Sequence, residues 1–147
     1  MTESAKRSLD RAVQDSYRGI ADEVLFTCLY DLHKSLSWSP GNYGGISANS
    51  ARESAIEWVL SEECELYCNI LDFELKHFKL ISAAVLKDYY VRTGKKPSKN
   101  GEALIALLNK KGGAYAHATI KHGVFFNKTG RYYETASGIC DAIMRYL

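Results

Sequence analysis

Between Ser8 and Ser37 apolar side chains return every three or four residues, at Leu9, Val13, Tyr17, Ile20, Val24, Cys28 or Leu29, Leu32 and Leu36. That spacing lines one face of an α-helix and does not suit the two-residue alternation of a half-buried strand. Asp10, Asp15, Asp22, Glu23 and Asp31 occupy much of the opposite face. The stretch is expected to form a long core helix. A kink is allowed at Gly19, because glycine costs about 1 kcal/mol relative to alanine inside a helix.

The helical pattern continues beyond Ser37, interrupted by turns. Ser37-Trp38-Ser39-Pro40-Gly41-Asn42-Tyr43-Gly44-Gly45 is a loop of breakers that Trp38 and Tyr43 would pack down. Ser50-Ala51-Arg52-Glu53 has the spacing of a capping box, ahead of a short helix carrying Ala55, Ile56, Val59 and Leu60 with Trp58 beside them. Ser61-Glu62-Glu63 resembles another helix start, continued by Leu66, Tyr67, Ile70 and Leu71 to a junction near Asp72. From Phe73 to Val91, Leu75, Phe78, Ile81, Val85 and Tyr89 define a second long helix that Gly94 would cap. Shorter helices are expected over Glu102–Asn109 and Ala114–His122, with Lys110-Lys111-Gly112-Gly113 as the turn between them. Val124–Tyr133 is the one stretch with β character, a small hairpin or an aromatic loop. Ala136, Ile139, Cys140, Ile143, Met144 and Leu147 mark a C-terminal helix. The expectation is an all-α bundle of six or seven helices forming a single domain over residues 1–147.

No apolar run approaches the roughly 20 residues that a membrane span requires. The first residues lead into amphipathic sequence rather than a secretory signal. Four cysteines are then expected as reduced thiols, and the cytoplasm is the default compartment.

Charge is distributed unevenly. Lys87 to Arg131 holds ten basic residues against Asp88 and Glu102, whereas residues 1–86 hold eight basic and thirteen acidic residues. A basic block within a folded domain suggests an anion-binding face or a solvated surface. The first option makes Arg92, Lys95, Lys96, Lys99, Lys110, Lys111, Lys121, Lys128 and Arg131 the phosphate-contacting residues of a nucleic-acid-binding protein. The loop Arg92–Lys99 precedes a helix N-terminus, where free N–H groups favour anions. Asn100–His122 also has the order of a helix-turn-helix, with Tyr115, His117, Thr119, Lys121 and His122 on its second helix and a wing-like hairpin after it. Tyr115, Phe125, Phe126, Tyr132 and Tyr133 are available for base stacking or for the core. DNA and RNA are not distinguished by these features.

Other chemistry is sparsely represented. Cys64 and Cys68 lie four apart on one helical face, but zinc needs two further ligands, so buried structural thiols are expected. Glu74-x-x-His77 has the spacing of half a di-iron site and lacks its second half. No P-loop, nucleophile elbow or cysteine-protease signature is present. No catalytic residue, metal or cofactor is therefore assigned.

The two long helices, with Ala83-Ala84-Val85-Leu86 leading through Gly94-Lys95-Lys96-Pro97 into Leu104–Leu108, resemble HEPN-type helical proteins. The resemblance implies a helical bundle, often dimeric, in a family many of whose members bind or cut RNA. Its nuclease members carry arginine followed four to six residues later by histidine, and this chain has no such pair. Two further readings stand beside nucleic-acid binding. One is a helical interaction protein that self-associates as a homo-oligomer, acidic half against basic half. The other is an enzyme acting on a small phosphorylated compound.

Overall fold

A computed structural model describes residues 2–33, 47–111, 113–121, 135–145 and 147. Every regular element among them is helical: α1 (Glu3–His33), α2 (Ala48–Leu60), α3 (Glu65–Ile70), α4 (Leu75–Thr93), α5 (Lys99–Ala106), α6 (Leu108–Lys111), α7 (Gly113–Lys121) and α8 (Ala136–Arg145). The all-α expectation holds. The loop Ser37–Gly45 and the hairpin expected over Val124–Tyr133 lie outside the described residues.

The bundle is built around α4, which packs against each of the other seven helices. Phe78 and the unbroken run Ile81-Ser82-Ala83-Ala84-Val85-Leu86 are buried, so this helix is enclosed on all sides rather than along one stripe. Alanines at 83 and 84 let neighbouring helices approach closely, while Phe78 fills the centre. Truncating such a phenylalanine to alanine costs about 3–5 kcal/mol. Gly94 ends α4 at φ +69, with its N–H bonded to the Tyr90 carbonyl, in the left-handed conformation that glycine adopts without steric cost.

α1 corrects the expectation of a helix that is core throughout. It runs unbroken through Gly19, but every residue from 2 to 20 is exposed, and burial begins at Ala21. The bundle receives Ala21, Leu25, Cys28, Leu29 and Leu32. The cause is rotation. Residues advance by about 100° around a helix, so each four-residue step turns the apolar stripe by about 40°. Two such steps from Val24 through Cys28 to Leu32 carry the stripe off the line of Leu9, Val13 and Ile20. On the N-terminal half, the positions in register with the bundle face are Arg7, Arg11, Gln14 and Arg18, which are exposed.

Two capping assignments also shift. The N-cap of α2 is Ser47, whose Oγ accepts the Ser50 N–H at 3.1 Å, so Ser50 lies inside the first turn. Starting one turn earlier adds the Ala51 N–H to Ser47 carbonyl bond at 3.0 Å. Ser61 closes α2 instead of opening the next helix, giving its N–H to the Glu57 carbonyl and its hydroxyl to the Trp58 carbonyl. Glu62, at φ +65, then reverses the chain ahead of α3. The expected junction at Asp72 is present as a second positive-φ residue, at φ +56. Arg18 Nη1 donates to the carbonyl of Ile70, the last residue of α3, and reaches the Asp72 carboxylate at 3.4 Å.

Candidate functional site

At the end of the bundle where α1 finishes, α2 starts and α4 finishes, a polar group is buried among aromatics. His33 Nε2 lies 2.5 Å from Asp88 Oδ2, and both residues are buried. Arg92, one turn beyond Asp88 on α4, places Nε 3.0 Å from each carboxylate oxygen. Arg52 is only 4% exposed, and its position follows from helical register. It shares the inward face of α2 with Ala55, Ile56 and Val59. Its Nε donates to the carbonyl of Leu32 at 3.1 Å, its Nη1 donates to Asn49 Oδ1 at 2.9 Å, and its Cζ lies 3.6 Å over the Tyr89 ring. The guanidinium thus satisfies an end carbonyl of α1 and joins that helix to α2 and α4. Burial lowers the Arg52 pKa from the usual arginine range, and Tyr89, Tyr90 and acidic neighbours oppose the shift.

A cleft of about 190 Å³ opens onto this group, lined by Asn49, Arg52, Glu53, Tyr89, Tyr90, Lys95 and Lys96. Three cations thus face one acid. Whole small-molecule ligands usually occupy about 300–1,000 Å³, so this cleft is smaller than a typical small-molecule site. The Tyr90 hydroxyl lies where a Cβ at position 101 would stand, so it can pack there only against a glycine.

The residues expected to contact phosphate separate into five groups. Lys95 and Lys96 line the cleft. Lys99 is exposed at the first position of α5, although the helix N-terminus beside it is already capped by Ser98 Oγ accepting the Gly101 N–H. Arg92 is turned toward Asp88. Lys110 and Lys111 lie on α6 and Lys121 on α7, at positions whose backbone alone is described, and Lys128 and Arg131 lie outside the described residues. Arg52, from the acidic half of the chain, was not among the expected contacts. An arginine on the apolar stripe of an amphipathic helix is the sequence signal that marks it.

Of the aromatics open to stacking or to the core, Tyr115 takes the core position, while Phe125, Phe126, Tyr132, Tyr133 and the expected helix end at His122 lie outside the described residues. α7 packs against α4 with Tyr115 and Ala116 buried. The Tyr115 hydroxyl meets His77 Nδ1 at 2.5 Å, while His77 Nε2 faces Glu74 at 3.5 Å. Burial and then the Glu74 charge raise the Tyr115 pKa. Tyr115 is therefore a core residue, whereas His117 on the same helix is exposed.

The cysteines are buried and free, in line with structural thiols. Hydrogen bonding within the Cys64–Cys68 pair is the first cause that lowers Cys64 and raises Cys68, with burial next. Among the described residues no group of three or more His, Cys, Asp or Glu side chains could hold a metal ion, and no helix is long and apolar enough to cross a membrane. A larger depression of about 600 Å³ beside α1 contains Arg18 and Asp22, but both already cap other helices. No protein-family model matches the chain, and neither a curated protein nor a solved structure does so.

Proposed function

We propose that this chain binds nucleic acid through its phosphates, with Arg52, Lys95 and Lys96 receiving one phosphate group in the cleft and Lys99 extending the contact along the backbone. One observation carries the reading: Arg52, Lys95 and Lys96, distant in sequence, line one small cleft. The buried Arg52 is pre-oriented by its bonds to Leu32 and Asn49, so little side-chain freedom is lost on binding. Lys95 and Lys96 add charge at the rim and also complement the negative end of the α4 dipole. Contacts of this kind position a polyanion without reading its sequence. The resemblance to HEPN-type bundles is consistent with the same reading, with RNA as the polymer.

The test is a titration of labelled single-stranded and duplex oligonucleotides at several salt concentrations. Log-linear weakening with salt, reduced by reversing Lys95, Lys96 and Lys99 to glutamate, supports the reading. Absence of binding near about 50 mM salt, where phosphate contacts are strong, rejects it.

A further inference from the structure

The N-terminal half of α1 projects from the bundle with an apolar stripe facing solvent. Leu9 is 54% exposed, Val13 46%, Tyr17 59% and Ile20 57%. Four large side chains in helical register over one element make a contiguous patch, not the scattered exposure found on any protein surface. The helical segment from Glu3 to Ile20 is about 27 Å long at 1.5 Å per residue, enough for a two-helix contact. We propose that the stripe packs against the same stripe of a second copy of this chain, with the two α1 helices antiparallel.

Orientation follows from two observations. Lys6 bounds the stripe at its N-terminal end and Glu23 beyond its C-terminal end, and both are exposed. An antiparallel pair with its two-fold axis between positions 14 and 15 sets Leu9 level with Ile20, and Lys6 level with Glu23, of the other copy. Each contact then closes with an opposite-charge pair at both ends, as an isologous interface requires. Parallel pairing would instead set Lys6 against Lys6 and Glu23 against Glu23. It would also place both bundles at the same end of the pair, where each helix becomes enclosed from Ala21 onward. Near the axis, Ala12 and Ser16 are small enough to admit Val13 and Tyr17 between the helices.

A membrane surface is a poorer occupant. Outside the stripe this segment carries Arg7, Arg11 and Arg18 flanked by Glu3, Asp10 and Asp15, a balance of charge rather than the lysine and arginine excess of an interfacial helix. The stripe alone supplies only part of the roughly 800 Å² per partner of a standard interface, so a reversible dimer is expected.

Sedimentation of the full chain over a concentration series from about 1 to 500 µM tests the proposal. A reversible monomer–dimer equilibrium is expected. Val13→Glu should weaken it by at least about tenfold while leaving the helical circular dichroism unchanged, because the side chain lies outside the bundle. Lys6→Glu should also weaken it, and Lys6→Glu combined with Glu23→Lys should restore it. A chain that stays monomeric throughout, or a dimer indifferent to Val13→Glu, would overturn the proposal. So would failure of the charge swap to restore association, or capture by phosphatidylcholine–phosphatidylserine vesicles without dimer formation. Reversing Lys95 and Lys96 should leave the dimer intact, which separates this contact from the nucleic-acid reading.

Discussion

The carboxylate of Asp22, in the middle of α1, accepts the backbone N–H of Ala136 at 2.7 Å and both the N–H and the hydroxyl of Ser137, 115 residues away. Thr135 completes the cap: its Oγ1 accepts the Gly138 N–H at 3.0 Å and its carbonyl accepts the Ile139 N–H at 3.2 Å. The first four N–H groups of α8 are therefore all satisfied, two of them by another helix. Asp22→Ala should lower unfolding free energy by about 1–2 kcal/mol, the range for losing a capping side chain. Asp22→Asn retains an accepting oxygen and should lose less. Urea denaturation of the three proteins provides the comparison.

Lys95→Glu combined with Lys96→Glu should weaken oligonucleotide binding and lower the slope of log affinity against log salt by about two, one unit for each phosphate contact removed. Both side chains are exposed, so thermal stability should change little. Gly101→Ala should also weaken binding, through displacement of the Tyr90 ring from the cleft. Fluorescence anisotropy at three or more salt concentrations reports both effects.

Alkaline pH should destabilise the fold through its thiols. Burial raises Cys28 and pushes Cys140 up to about 12, while the hydrogen bond to Cys64 and then burial raise Cys68. Unfolded thiols ionise near pH ~8.5. Between that pH and about 12 the native state holds protons that the unfolded state releases, so stability falls as pH rises. Each such group contributes at most about 1.4 kcal/mol per pH unit. The lowered Cys64 acts in the opposite sense and should contribute a small gain as pH approaches 8.5 from below. Urea midpoints from about pH 8 to 10.5 should decline, and Cys140→Ala should make the decline shallower.

Ser82 Oγ has no hydrogen-bond partner among the described residues, although Ser82 is fully buried in α4. Ser82→Ala removes an unsatisfied polar atom without changing the packing of the methylene, and alanine is the better helix former. A gain of about 1 kcal/mol is expected by urea denaturation. A loss would mean that the hydroxyl is satisfied in solution.

Helical periodicity was enough to define most elements. The apolar spacing from Phe73 to Val91 identified α4, Gly94 identified its end because only a left-handed residue fits there, and Cys64 and Cys68 could be read as buried thiols because no further ligands accompany them. The helix starts near Ser50 and Ser61 were less legible. Several serines can accept a first-turn N–H, and which one does depends on where the preceding chain is held. The cleft was half legible. Lys95 and Lys96 stand out in a basic run, whereas Arg52 lies in a mainly acidic half and reaches them only through the packing of α2 on α1 and the contact of its guanidinium with Tyr89.

The sequence by itself determined that the chain is helical, which residues end its long helices, and that its charge is divided between two halves. Those properties follow from local backbone preference and spacing, which act over a few residues. Tertiary structure alone decided that α1 leaves the bundle before Ala21, that Arg52 belongs with Lys95 and Lys96, and that Asp88 and Tyr115 turn inward. A helix presents every side of its surface, and which side is buried depends on neighbours distant in the chain.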